Sequence, residues 1–336
     1  MNIFASYRLR LQRKRWKIRA FRKRRELSVV KSRTSAINNG DILLFCTFRN
    51  EDIRLPYFFE YYRDLGVNHF LVVDNGSTDG GREYAAAQED VSVWTTNAGY
   101  GDARYGMDWL TWLQWRYAHG HWALTVDVDE FFVYPFCDTR PLAALGNWLD
   151  SSDLRSFGAM ILDVYPQGSV EDAIYERGAN PLDVANWFDT GNYTISLNKR
   201  MKNLWIQGGP RARAYFADQP DKAPALNKVP FVKWNRRYTY VSSTHMILPR
   251  GLNLVYDQQG GEKTSGVLLH AKFVNTFGAR AAEEAARGQH YQSGAEYRQY
   301  QSGTEGQGSL WTKWSAQYLN WRQLEGLGLL SRGNWA

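Results

Sequence analysis

The chain has 336 residues, of which 44% are hydrophobic and 15% are aromatic, which is enough for one substantial α/β domain with extensions or for two small domains. Its net charge of +7 is concentrated at the N-terminus, because residues 1–35 contain 13 bases and one acid. The remaining residues contain 28 bases and 33 acids. This mildly acidic body argues against a nucleic-acid-binding function.

Cysteine content and hydropathy indicate the compartment. The two cysteines, Cys46 and Cys137, form no CxxC pair and cannot make a disulfide framework, which favours a reducing environment. No run of about 18 apolar residues predicts a transmembrane helix. The basic N-terminus lacks the apolar stretch of a signal peptide. We therefore expect a cytoplasmic protein, with peripheral attachment at the inner membrane face as a further hypothesis.

Residues 1–35 are predicted to form a separate basic extension with good helix formers. Apolar side chains are interleaved with its bases, namely Leu9, Leu11, Trp16, Ile18 and Phe21. Three interpretations remain open for it. The extension is a solvated helix or disordered tail, or it contacts an anionic membrane surface, or, least favoured, it binds nucleic acid.

After a turn-rich linker at residues 35–40, apolar runs and helical periodicities alternate. Strands are predicted at residues 42–46, 69–73, 91–95, 122–126 and 157–164, and helices at 55–65, 103–118 and 142–149. This alternation predicts an α/β fold with a mostly parallel central sheet and flanking helices.

The second half of the chain is less regular. Residues 166–240 read as loops with short strands, followed by a strand at 267–274, a helix at 280–287, a polar mobile segment at 288–309 and a Trp-rich helix at 311–330. The predicted organisation is a basic extension (1–35), a nucleotide-sugar-binding α/β half (41–165), an acceptor-binding and metal-completing half (166–287) and a C-terminal segment (288–336).

Polar clusters follow three of the predicted strands, where ligands bind in open parallel sheets. They comprise Thr47, Arg49 and Glu51 after the first strand, Asp74 and Asn75 after the second, and Asp127-Val128-Asp129 after the fourth. Two carboxylates spaced like Asp127 and Asp129 suit a divalent cation that neutralises a pyrophosphate. The structural alternative is a solvated strand end or a helix cap.

The segments TFRNEDIRLPYFFEYYRDLGV, FLVVDNGSTDGG and LTVDVDEFF resemble family-2-type glycosyltransferases of the GT-A fold. They are particularly similar to the bacterial branch with D-N-G-S-x-D and D-x-D-E-F motifs. The resemblance covers about residues 41–135. It implies a GT-A-like sheet and an inverting transfer from a nucleotide-sugar, often a UDP-sugar, to a glycan or lipid-linked acceptor, with Mn²⁺ or Mg²⁺ as cofactor.

The resemblance also assigns roles to residues. It implies a nucleoside pocket of Thr47, Arg49 and Glu51, a base- or ribose-binding Asp74 with Asn75 beside it, a ribose- or cation-binding Asp127 and a metal-ligating Asp129. It further implies that a late histidine completes the metal shell, for which His270 is the first candidate and His245 the second. A buried core histidine is the alternative for each.

An inverting transfer needs a carboxylate base. Glu171-Asp172 follows the D-x-D too closely to fit the family's Glu-Asp pair, so Asp189 and Asp163 are the candidates. Candidate phosphate-binding bases are Arg200, Lys202, Arg211, Arg213, Lys228 and Lys233, and candidate sugar-stacking rings are Trp187, Trp205 and Trp234. Solvated bases and core aromatic rings are the alternatives.

Two other functions compete with the transferase. A non-catalytic nucleotide-sugar- or glycan-binding protein would keep the fold without the activity. A nucleotidyltransferase would carry a Gly-rich loop and a Lys after the first strand, which residues 48–51 do not provide.

Overall fold

The computed structural model describes residues 3–256, 263–289, 300 and 309–335, with side chains from residue 6 onward. The strands are, in chain order, β1 (Ser28–Lys31), β2 (Leu43–Phe48), β3 (His69–Asp74), β4 (Val91–Thr95), β5 (Trp122–Thr125), β6 (Glu130–Val133), β7 (Ser156–Asp163), β8 (Trp187–Asp189), β9 (Tyr193–Asn198), β10 (Asn203–Gly208), β11 (Asn227–Lys233), β12 (Thr239–Ser242), β13 (Met246–Leu248), β14 (Ser265–His270) and β15 (Ser315–Gln317). The helices are α1 (Ile3–Lys23), α2 (Leu55–Asp64), α3 (Gly81–Ala87), α4 (Met107–Tyr117), α5 (Leu142–Ser151), α6 (Gly209–Tyr215), α7 (Phe277–Arg287) and α8 (Trp321–Gly326).

A mixed central sheet organises the described part of the chain. Its strand order is β1-β4-β3-β2-β5-β11-β7-β14-β6. Strands β4, β3, β2, β5, β7 and β14 run in one direction, whereas β1, β11 and β6 run antiparallel to their neighbours. The prediction of an α/β fold with a mostly parallel sheet and flanking helices is therefore confirmed.

Successive side chains of each strand point to opposite faces of the sheet, and a hydrophobic core covers each face. Leu44 and Cys46 of β2 face a cluster that contains the apolar side of α2, together with residues of α3 and α5. Leu43 and Phe45 face the opposite cluster, which contains the buried side of α4. Because both faces of the sheet are covered, its strands are nearly continuous apolar runs, as parallel strands require.

Local sequence signals explain the first α/β unit. Helix α2 buries Leu55, Phe58, Phe59 and Tyr62, at the three- and four-residue spacing of one helical face. Pro56 lies in its first turn, where no intrahelical N–H bond is lost. Gly66 follows with φ +91°, a left-handed conformation that glycine adopts without a Cβ clash.

The N-terminal extension packs against the α/β body instead of forming a separate segment. Strand β1 pairs antiparallel with β4 at the sheet edge. Helix α1 lies against α4, where Arg19 Nε donates to Asp108 Oδ2 at 2.6 Å. Beyond α1, Trp109 Nε1 donates to Glu26 Oε2 at 2.9 Å. The interpretation of residues 1–35 as a disordered tail is therefore wrong, whereas the solvated-helix alternative holds in part, because α1 is a helix with one face packed on the body and most of its side chains exposed.

Several predicted elements differ in the second half. Strand β11, within the region predicted as loop-rich, enters the centre of the sheet between β5 and β7. The predicted strand at 267–274 ends at His270, and the predicted helix at 280–287 begins earlier, at Phe277. The long helix predicted at 311–330 is wrong, because Ser315–Gln317 form a strand paired with β8 and only Trp321–Gly326 are helical. Residues 290–299 and 301–308 of the predicted mobile segment lie outside the described residues.

None of the described helices has an apolar stretch of the length needed to cross a bilayer.

Candidate active site

The carboxyl edge of the parallel strands opens into a cavity of about 790 Å³. The end of strand β2 and the loop after it deliver Thr47, Arg49 and Glu51 to this cavity, and the loop after β3 delivers Asn75. The loop between β5 and β6 delivers Asp127 and Asp129, and the end of β14 delivers His270. Seven of the predicted site residues, drawn from four segments of the chain, therefore line one cavity.

Strand register explains why His270 meets the carboxylates. His270 of β14 lies opposite Asp163 of β7 in the parallel pairing and opposite Glu130 of β6 in the antiparallel pairing. Asp129 immediately precedes Glu130, and its carbonyl accepts a hydrogen bond from the Ala271 amide at 2.8 Å. The D-x-D loop is therefore fixed beside the end of β14 by backbone pairing.

His270 bridges two carboxylates. Its Nδ1 lies 2.6 Å from Asp163 Oδ1, and its Nε2 lies 3.3 Å from Asp129 Oδ2. Burial lowers the pKa of His270, but Asp129 and then Asp163 raise it more, to about 9. Burial likewise raises the pKa of Asp129, yet the neighbouring His270 holds it well below the usual range. The imidazole and the Asp129 carboxylate therefore form a charged pair.

The carboxylate and the imidazole of this pair would suit two ligand positions of a divalent cation, more readily Mn²⁺ than Mg²⁺, because Mg²⁺ prefers oxygen ligands. Adjacent ligands around an octahedral Mg²⁺ are about 3 Å apart, close to the 3.3 Å between Nε2 and Asp129 Oδ2. Asp163 holds Nδ1 as a carboxylate does for a metal-ligating histidine, leaving Nε2 to bind a cation in place of its proton. Among the described residues, no group of three His, Cys, Asp or Glu side chains is arranged as a metal site.

Asp127 has a different environment from Asp129. Lys228 Nζ donates to Asp127 Oδ2 at 3.0 Å and also contacts Glu130 Oε1. The Lys228 side chain is only 4% exposed, whereas that of Asp127 is 49% exposed. Burial lowers the pKa of Lys228, but Asp127 and Glu130 raise it more. Burial raises the pKa of Glu130 to about 7, against the opposing effect of Lys228.

The catalytic-base predictions are not supported by the geometry. Asp163 is 2% exposed, and it accepts hydrogen bonds from His270 and from Arg211 Nε at 2.8 Å. Burial raises its pKa, but Arg211 and His270 lower it to about 2. Asp189 is 6% exposed and bound by Tyr165 and Arg213. Neither carboxylate lines the cavity, so both predictions are corrected: Asp163 orients His270, and Asp189 anchors α6 through Arg213.

Asp74 also lies behind the cavity wall. It is fully buried, and its two oxygens accept from the Ser77 amide at 2.9 Å and from Thr95 Oγ1 at 2.8 Å. These bonds fix the turn after β3. Asn75 lines the cavity, so the structure brings Asn75, and not Asp74, to the surface that a nucleoside would contact.

Helix α7 forms a charged wall of the cavity that was not predicted from the sequence. Arg280 Nη1 donates to Glu51 Oε2 at 2.7 Å, and Arg287 Nη2 donates to Asn75 Oδ1 at 2.7 Å. Phe277, Arg280, Glu284 and Arg287 all line the cavity. Their spacing of three and four places them on one helical face, a periodicity that was visible in the sequence. The helix therefore binds the loops after β2 and β3.

The other proposed site residues separate into two groups. Arg211, Lys228, Trp205 and His245 line the cavity, whereas Arg200, Lys202, Arg213, Lys233, Trp187 and Trp234 do not. His245 Nδ1 lies 2.7 Å from the Asn227 carbonyl, and burial, followed by Lys228, lowers its pKa to about 4. His245 is thus held neutral and away from the Asp129–His270 pair.

Comparison of the chain with protein-family models and with curated proteins finds no match.

Proposed function

We propose that this protein is a metal-dependent glycosyltransferase of the GT-A type. It transfers a sugar from a nucleotide-sugar, with UDP-sugars as the first donor candidates, to a glycan or lipid-linked acceptor, and it inverts the anomeric centre. The observation that carries the proposal is the convergence of Asp127, Asp129 and His270 at the carboxyl edge of the sheet, in a cavity large enough for such a donor.

The cation would be Mn²⁺ or Mg²⁺, held by Asp129 and His270, with Asp127 at the side where the ribose or a bound water would lie. It would neutralise the charge on the leaving diphosphate. The residues of the chain bind and orient the donor around it. Thr47 and Asn75 line the nucleoside end, and the guanidinium groups of α7 lie on the facing wall.

The acceptor needs a base that the cavity exposes. Asp218 and Asp221 follow α6, are exposed to solvent and line the cavity. In the proposed step, one of these carboxylates takes the proton of the acceptor hydroxyl. The hydroxyl oxygen bonds to the anomeric carbon while the bond from that carbon to the phosphate oxygen breaks, and the electron pair leaves with the diphosphate.

Donor hydrolysis tests the proposal. The purified protein should release free sugar and nucleotide from one nucleotide-sugar of a panel when Mn²⁺ is present, as measured by chromatography. Asp129→Asn should lose at least about 100-fold of that rate, because a ligand of the charge-neutralising cation is lost. Asp138→Asn is the matched control, since this carboxylate pairs with Arg322 and does not line the cavity. Equal rates for wild type and Asp129→Asn would refute the proposed role.

One observation favours a second candidate, a non-catalytic nucleotide-sugar-binding protein of the same fold. The Lys228 ammonium already neutralises Asp127 and Glu130 at the position where a cation-dependent enzyme needs free carboxylates. Thermal shift separates the two functions. A ligand at 100 times its Kd stabilises the folded state by about 2.7 kcal/mol. Stabilisation by nucleotide-sugar without Mn²⁺ and without turnover would support the binding protein.

A further inference from the structure

Helix α1 has two faces of different character. Leu9 and Ala20 are buried, and Trp16 is half-buried on the same side. On the opposite side, Leu11 and Ile18 are 45% and 54% exposed. Tyr7, which is 57% exposed, lies on that side as well, because residues 7, 11 and 18 fall within about 40° of one another at 3.6 residues per turn. The helix therefore presents an apolar stripe to solvent after its packing against the body is complete.

Basic side chains border this stripe on both sides. Arg8, Arg15 and Arg22 recur every seven residues along one border, and Arg10, Lys14 and Lys17 lie along the other. Five of these six bases are exposed and Lys17 is half-buried. The segment from Ile3 to Lys23 contains no acidic residue, so the outer face of α1 is uniformly positive around an apolar centre.

The β9–β10 hairpin extends this surface. Arg200 Nη2 donates to Gln12 Oε1 of α1 at 3.3 Å, which places the turn of the hairpin beside the helix. Lys199, Arg200 and Lys202 are exposed at this turn. Ile195 and Leu197 of β9 are 64% and 44% exposed. The same combination of exposed apolar and basic side chains is therefore found on two adjacent elements.

We propose that the outer face of α1, together with the β9–β10 turn, binds an anionic lipid bilayer. The apolar stripe would enter the interface between headgroups and acyl chains, and the bordering bases would reach the lipid phosphates with their long stems along the apolar layer. A bilayer fits better than nucleic acid, because phosphate backbones attract the bases but offer nothing to bury aliphatic side chains at the centre of the face. Each base near an anionic surface strengthens attachment.

This surface lies next to one wall of the cavity, and its position therefore bears on which acceptor the protein would use. Strand β10 of the hairpin contributes Trp205 and Gln207 to the wall of the cavity. A membrane bound at α1 and the hairpin therefore lies beside the proposed acceptor side, which favours an acceptor carried by a lipid. The inference of a lipid-carried acceptor rests on the proposed transferase function. Bilayer binding does not rest on it and can be measured without any substrate.

Vesicle co-flotation of the full chain tests bilayer binding. The vesicles contain phosphatidylcholine alone or phosphatidylcholine mixed with phosphatidylglycerol. We expect the wild type to float only with the mixed vesicles and to be released by high salt. Removing charge in Arg8→Gln/Arg15→Gln/Arg22→Gln should weaken the partition coefficient by about 100-fold. Removing apolar surface in Leu11→Gln/Ile18→Gln should weaken it by about tenfold or more, at unchanged charge.

A matched control removes the same charge elsewhere. Lys313→Gln/Arg322→Gln/Arg332→Gln changes three bases of the C-terminal segment and should bind vesicles like the wild type. All altered side chains lie at the surface, so thermal melting should show unchanged folding.

Three outcomes would overturn the proposal. Unchanged vesicle binding by Leu11→Gln/Ile18→Gln would remove the apolar component. Binding to a double-stranded oligonucleotide that is tighter than binding to vesicles would assign the face to nucleic acid. A dimer in sedimentation analysis that dissociates on the Leu11→Gln/Ile18→Gln change would assign it to a second copy of the chain.

Discussion

Replacing Asp163 with asparagine tests how His270 is oriented for a cation. In the structure, Asp163 accepts two hydrogen bonds, from His270 Nδ1 at 2.6 Å and from Arg211 Nε at 2.8 Å. A guanidinium can only donate, so the amide oxygen of the substituted side chain should turn towards Arg211. The amide nitrogen would then donate to Nδ1. This forces the imidazole proton onto Nε2, the atom that faces Asp129.

The expected magnitude follows from this change of tautomer. Loss of a group that orients a ligating histidine costs about 10–100-fold in metal affinity, or about 1.4–2.8 kcal/mol. Because Asp163→Asn does not merely remove the acceptor but places a donor there, we expect the upper end, near 100-fold. Folding should weaken by about 1–3 kcal/mol, since Arg211 keeps a neutral acceptor in place of a charged one.

Calorimetric titration with Mn²⁺ measures the effect at a temperature where circular dichroism shows the variant folded. Asp189→Asn is the control, because Asp189 is buried and bound by an arginine in the same way but does not contact His270. Its Mn²⁺ affinity should match that of the wild type. Equal affinities for all three proteins, or equal losses in both variants, would refute the role of Asp163 in orienting His270.

Three further results are expected. Lys228→Met should lower the free energy of unfolding by about 3 kcal/mol in urea, since buried Glu130 loses its cation. The double variant Lys228→Met/Glu130→Gln should recover part of this loss. If the effects of the two single substitutions simply added, Lys228 and Glu130 would not be coupled. Gly106→Ala should cost about 1–3 kcal/mol and weaken donor binding in thermal-shift assays, because φ is +76° and the added Cβ would lie 2.7 Å from Thr47 Oγ1. Because the pKa of His245 falls to about 4 in the folded state and is about 6.5 when unfolded, the unfolded chain binds more protons between these values. His245 should therefore lower the stability of the wild type by about 2 kcal/mol, relative to His245→Gln, between pH 7 and pH 5, as measured by urea unfolding of both proteins at both pH values. Glu130 and His270, whose pKa values are raised in the folded state, act in the opposite direction in both proteins and cancel in this difference.

The α/β half of the chain, residues 41–165, was predictable from its sequence, because its signals are local. Apolar runs, the three- and four-residue spacing of α2 and the glycine at position 66 define each element within a few residues. Polar residues placed after parallel strands must then meet at one edge. Thr47, Asn75 and Asp129 therefore line the same cavity although no single motif determines their distances.

The later part of the site depends on contacts between distant segments. Strand β11 is antiparallel and inserted between β5 and β7, a placement that no short-range pattern specifies. Asp163 ends a strand as expected, but its partner is Arg211, 48 residues further along the chain. Asp189 reads as an ordinary polar residue until Arg213 and Tyr165 surround it. Because residues from distant segments bury and bind Asp163 and Asp189, both are structural carboxylates and not the catalytic bases that the sequence suggested.

The two aspartates of the D-x-D motif are unequal in the structure, although the motif alone presents them as a pair. Asp127 is half-exposed and bound by Lys228 from β11, whereas Asp129 faces His270 from β14. The difference arises because the chain leaves strand β5 before Asp127 and enters strand β6 at Glu130. Asp127, Val128 and Asp129 lie outside both strands, so their side chains do not follow the strand pattern of alternating directions. A cation is therefore expected to contact Asp129 first. Asp127 would join such a cation if Lys228 turned from it to another anion, such as the diphosphate of the proposed donor.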